Sequence, residues 1–108
     1  MNLADLFKQA KDMQSKAAEM QKAVEQIEVE GQSGAGMVKL TLSGKSDLKR
    51  LEIDPSLLKP EDKIMLEDLI LAAHADARAK LERRLAEEMQ RMSRDMGLPP
   101  GMSGFFGE

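Results

Sequence analysis

Few residues in this 108-residue chain have the chemistry of a catalytic or metal site. There is no cysteine, which removes thiol nucleophiles, thiolate metal ligands and disulfides together. His74 is the single histidine. It falls in an apolar helical section and is expected to be a partly buried structural residue. The acids come in adjacent pairs, Glu61–Asp62, Glu67–Asp68 and Glu87–Glu88. Neighbours on a helix point about 100° apart, and no His or Cys accompanies these pairs. They read as solvated charge or as complements to a helix dipole. "GQSGAG", residues 31–36, is followed by Met37 and Val38 rather than the Lys-Ser/Thr of a phosphate loop, so it reads as a hairpin turn. No nucleophile, base and orienting group come together. The expectation is a non-enzyme with no catalytic residue, cofactor, metal or small-molecule substrate.

Cations leave a different possibility. On a helical wheel Lys80, Arg84, Arg91 and Arg94 share an arc of about 80°, with Arg83 at its margin and Glu87 among them weakening the field. Lys8, Lys11 and Lys22 take outward positions on an N-terminal helix whose apolar seam Lys16 borders. One reading makes these ordinary solvated charges, some in i,i+4 pairs such as Asp12 with Lys16. The other makes them a row of phosphate contacts. If nucleic acid is bound, the composition restricts the mode. There is no Trp or Tyr, and Phe7 is the only aromatic outside the last twelve residues, so unpaired bases find no stacking platform. Lys and Arg contacts to the backbone give salt-sensitive, weakly selective binding to double-stranded DNA.

The elements that must carry these cations follow from periodicity. In "LADLFKQAKDMQSKAAEMQKAVEQI", Leu3, Leu6, Ala10, Met13, Ala17, Met20, Val24 and Ile27 are spaced alternately three and four apart. That alternation keeps one narrow seam in coiled-coil register, on a helix expected over 1–27 with Asn2 as N-cap. From residue 28 to 54 the period becomes two: Val38, Leu40 and Leu42 alternate with Lys39 and Thr41, and Leu51 and Ile53 flank Glu52. This predicts a half-buried strand, and three strands in an antiparallel meander. Pro55 and Pro60 break the sheet, and Pro60 suits the first position of a long helix over 61–96. Leu66, Ile70, Ala73 and Ala77 share one face of that helix, while Ile64, Leu71 and Ala75 lie well round from it. Apolar residues on most sides predict burial on most sides, against the chain's own sheet and a second subunit. Past residue 80 the pattern narrows to Leu81, Leu85, Met89, Met92 and Met96, with the basic arc opposite. The Pro/Gly-rich tail "GLPPGMSGFFGE", 97–108, carries no helical signal.

Length and composition bound the whole. Charged residues are 32%, aromatics 3%, and methionine numbers nine, which suits helices with solvated faces better than a thick globular core. The net charge of −3 argues mildly against nucleic acid as a whole, but its placement matters more: residues 76–96 hold six basic and five acidic side chains. No apolar run nears the ~18 residues of a membrane span, and the amphipathic N-terminus contains Asp5 and Asp12, unlike a secretory signal. A soluble intracellular protein is expected. The long helices would run ~40 and ~54 Å, against a diameter of about 34 Å for a compact sphere of this chain length. Helix 1 is therefore expected to zip onto the distal half of the long helix, forming an arm that stands off a dimeric body.

The runs "VEGQSGAGMVKLTLSG", "LKRLEIDPSLL" and "EDKIMLEDLILAAHADARAKLE", followed by "GLPPGM", make the chain resemble the YbaB/EbfC family of bacterial nucleoid-associated proteins over nearly its whole length. The resemblance implies an α+β, α-β-β-β-α subunit and a tweezers-like homodimer. It also implies binding to double-stranded DNA through helical arms with little sequence preference, and a role in nucleoid organisation and gene expression. It carries no catalytic residue over and fixes no individual DNA contact. Lys8, Lys11, Lys16, Lys22, Lys80, Arg83, Arg84, Arg91 and Arg94 are candidates on charge and placement. The alternatives are a prefoldin-like holdase gripping unfolded clients with its Met-rich stripe, or a protein–protein scaffold using the projecting helices.

Overall fold

The computed structural model describes residues 2–95; Met96 of the expected stripe and the tail 97–108 lie outside the described residues. The elements are helix α1 (Leu3–Gln26), strands β1 (Glu28–Ser33), β2 (Val38–Ser43) and β3 (Leu48–Ile53), and helix α2 (Lys63–Asp95). The Asn2 side chain caps α1 by accepting from the Asp5 amide at 2.9 Å, which satisfies an otherwise orphaned donor. The strands form an antiparallel sheet in the order β1-β2-β3. Residues 34–36 turn with positive φ throughout (60°, 56° and 89°). Gly34 and Gly36 supply two of those three conformations without the Cβ penalty, and Ala35 bears it. At the second hairpin the Ser43 hydroxyl accepts from the Lys45 and Asp47 amides, and Ser46 takes φ 69°. Pro55–Leu57 and Pro60–Asp62 each make one 3-10 turn, the second leading directly into α2.

The core lies where α2 crosses the sheet. Val38, Leu40 and Leu42 of β2 are buried against Ala73 and Ala77 of α2, with Leu57 closing one end. Small residues decide how close the helix comes. A Cβ on Gly31 would overlap the Ala73 carbonyl oxygen and the Ala77 amide, so only glycine lets α2 rest on β1. Hydrogen bonds fasten that side: the Gln32 amide donates to Asp76, the Ser33 hydroxyl to the Leu69 carbonyl, and Lys80 Nζ to the Glu30 carbonyl. On the far face of the sheet an Arg50–Glu28 ion pair (3.0 Å) joins β3 to β1 across β2. Thr41, directly opposite Arg50, is buried along with Ser43. The central strand is thus buried on both faces, more than its alternation predicts.

α2 covers β1 and β2 but not β3. Leu48 and Leu51 pair with Leu42 and Leu40 on the core side of the sheet, yet stay 56% and 43% exposed. Round the helix, Ile64 and Leu71 are 73% and 68% exposed. Within one chain the expected burial of α2 on most sides therefore holds for the face of Ala73 and Ala77 alone. His74 is exposed, not partly buried as expected. It sits about 80° round the wheel from Leu66, past the edge of the packed face.

The molecule measures 72 × 25 × 15 Å with a radius of gyration of 19.9 Å, well above the ~13 Å of a compact domain of this length. α2 accounts for about 50 Å of the long axis, so α1 must extend past it. Ile27 is buried, and Met20, Ala23 and Val24 are half-buried. Leu3, Leu6, Ala10, Met13 and Ala17 are exposed. The expected zipping of helix 1 onto the long helix is realised at the arm's base, where the last turns of α1 share a cleft with Arg84, Glu88 and Arg91. One backbone hydrogen bond sets the junction: the Gly44 amide donates to the Ile27 carbonyl at 2.9 Å. A Cβ on Gly44 would overlap the Val24 carbonyl.

Candidate nucleic-acid interface

The candidate cations divide into three groups. Lys8, Lys11, Lys16 and Lys22 are exposed along α1, and among the described residues none forms an ion pair. Lys8 and Lys22 stand about 21 Å apart along the axis, a dispersed row rather than a cluster. Arg83 and Arg94 of α2 are likewise exposed and outside any ion pair among the described residues.

Lys80 is tied to the body. Its ammonium lies 2.8 Å from Asp76 and donates to the Glu30 carbonyl. The hydrogen bond from Lys80, with that of the Gln32 amide, holds the Asp76 carboxyl below its ordinary value. A shallow groove gathers Lys80, Arg83 and Arg84 with Val29 and Glu87 at the foot of the arm. Three of the predicted cations converge there.

Arg84 and Arg91 are both committed to Glu88. Arg84 Nη1 approaches Glu88 Oε2 at 3.3 Å, and Arg91 Nη2 donates to Glu88 Oε1. Glu88 is only 5% exposed. Its carboxyl is held below the ordinary glutamate value, first by the Arg91 hydrogen bond, acting against burial, and then by Arg84. Arg91 is in turn held above its usual value by Glu88. The three residues form one wall of a cleft of about 520 Å³ whose other wall includes Ala23, Gln26 and Ile27 of α1.

The basic arc therefore does not stand opposite the Met stripe as expected: two of its members turn inward at the stripe's edge. The reason is Glu88, expected with Glu87 to be solvated charge but buried instead. A signal existed. Glu88 follows Leu81 by seven residues, so it falls about 20° from Leu81 on the wheel, at the stripe's edge and in line with the buried Ala77 and Leu81. A carboxylate at a packed position requires cationic partners, and the i−4 and i+3 residues are both arginine.

Among the described residues there is no group of three or more His, Cys, Asp or Glu that could hold a metal ion. No described helix is long and apolar enough to cross a membrane. The arrangement offers cationic hydrogen-bond donors along a projecting rod.

Comparison with known proteins gives the same direction. The model of the YbaB/EbfC DNA-binding family matches residues 1–96. A nucleoid-associated protein of Granulibacter bethesdensis is 56% identical over 101 residues, covering 94% of this chain and 94% of its own. One from Paramagnetospirillum magneticum is 57% identical over 100 residues, covering 93% and 94%. The crystal structure of an uncharacterized protein from Helicobacter pylori superposes with a TM-score of 0.65 at 25% identity, over 89% of this chain and 97% of that one.

Proposed function

The chain belongs to the YbaB/EbfC DNA-binding family, and we propose that it binds double-stranded DNA as a homodimer, through phosphate contacts from its helical arms. The observation that carries this reading is the exposed row Lys8, Lys11, Lys16 and Lys22 on a helix that extends past the body. Arg83 and Arg94 add exposed cations along α2, beside Lys80, Arg84 and Arg91, whose charges are shared with Asp76 and Glu88. Such contacts fix position without reading bases, so selectivity is low. Residues 1–96 act as a single binding domain.

The homodimer rests on the bare half of the sheet. Leu48 and Leu51 present apolar side chains on the core side of β3, and Ile64 and Leu71 present others on the uncovered side of α2; α2 of a second copy would cover the bare strand and complete the layer. Two arms then leave one body, and a duplex can lie between or along them. The relatives are named nucleoid-associated proteins, and we infer a nucleoid-located, cytoplasmic protein that contributes to DNA organisation and gene regulation, with no catalytic role.

The test is a binding isotherm on random-sequence duplex at 50 and 200 mM salt. Six or more phosphate contacts predict a loss of about 10³-fold in affinity between the two. No binding at the lower salt would overturn the reading, and so would an affinity indifferent to salt. A holdase would instead suppress client aggregation without shifting duplex in a gel.

A further inference from the structure

We propose that Glu88 limits how tightly the arm holds DNA, because its buried carboxylate occupies two guanidinium groups that would otherwise meet phosphates. The inference rests on the DNA-binding reading above and names the residue that tunes it.

Arg84 and Arg91 are seven residues apart, about 10.5 Å along the helix axis. Left alone, their heads could reach separate phosphates. Glu88 lies between them and draws one nitrogen of each to a single carboxylate. Two positive charges are thereby gathered at one point, and the trio carries a net +1 rather than +2. Carboxylate and phosphate ask the same thing of a guanidinium, a charge-assisted hydrogen bond to oxygen. They compete.

The carboxylate holds the stronger position. Glu88 is buried, and a buried charge stripped of its partners is strongly disfavoured. The rest of the cleft lining provides no substitute cation: Ala23 and Ile27 are apolar, Gln26 is neutral and Glu28 is acidic. DNA can therefore recruit either arginine fully only by leaving Glu88 short of a partner. Both arginine side chains remain about half exposed, so the barrier to recruiting them is this competition rather than access. A buried glutamate at the edge of an apolar stripe is then a means of keeping the grip weak.

The experiment is a thermodynamic cycle on the full chain. Wild type, Glu88→Gln, Arg84→Gln/Arg91→Gln and the triple variant are titrated with a random-sequence duplex over a series of salt concentrations, with helicity and sedimentation checked for each. Glu88→Gln should bind about tenfold tighter, and its plot of log affinity against log salt should steepen by about one to two units, as expected for one or two added phosphate contacts. Loss of both arginines should cost more in the Glu88→Gln background than in wild type. Glu88→Met, which continues the Met stripe, is the second variant and should show the same gain if the glutamine disturbs helicity. Equal or weaker binding with an unchanged salt slope would overturn the proposal. An arginine effect identical in both backgrounds would do the same. Failure of the DNA-binding reading looks different, since wild type itself would then not bind duplex at low salt.

Discussion

Asp76 is one carboxylate with two partners, the Lys80 ammonium and the Gln32 amide, and so pins α2 to the edge of β1. Its pKa is lowered in the folded chain, so its contribution is present above the unfolded value of ~3.9 and is lost as pH falls through the folded one. Asp76→Asn should reduce the melting temperature at pH 7, and the gap from wild type should close as pH drops below about 4; a gap constant down to pH 2 would refute the assignment. Gly31 acts through absence. Gly31→Ala places a methyl on the backbone of Ala73 and Ala77, and overpacking of this kind costs about 1–3 kcal/mol, readable by urea titration. The sequence announces these residues unevenly. Gly31 is visible only as part of a turn-like run, because the backbone that crowds it lies more than forty residues away. Glu88 was legible from its place on the wheel, whereas the exposure of His74 depended on where the sheet ended.

Among the elements, α1 departs most from its sequence signal. Alternating three-four spacing gives the direction of its seam but not the length over which the seam is covered. That length depends on where α2 lies, and only Met20, Ala23, Val24 and Ile27 come under cover. Ala17→Glu should therefore leave the thermal midpoint nearly unchanged, while Val24→Glu, beside Gly44 and the cleft, should lower it. Equal losses from both would mean the seam is packed further out. The strands were readable because their turns are written in Gly, Ser and Asp and their period is two. What the pattern could not convey is that α2 would settle over β1 and β2 and leave β3 bare. Inward-pointing leucines look the same whether their cover comes from the same chain or another.

For the whole molecule, a length of 72 Å on a thickness of 15 Å was foreseeable from helix lengths alone. The second subunit proposed above can be tested at Leu51, on the bare side of β3. Leu51→Glu places a charge on the face offered to a partner, and the variant should sediment at single-chain mass with its helicity kept. Retention of a two-chain mass would move the interface elsewhere. The junction at Gly44 has a further effect. α1 extends ~36 Å from that fulcrum, so each degree of tilt swings its tip by about 0.6 Å and ten degrees carry it ~6 Å, nearly two base steps of a duplex strand. Leverage of that size lets a single hairpin govern where the far end of the arm stands, and so the span between two arms in the proposed dimer. Altering a few atoms beside Val24 would widen or narrow that span and leave every lysine in place on its helix.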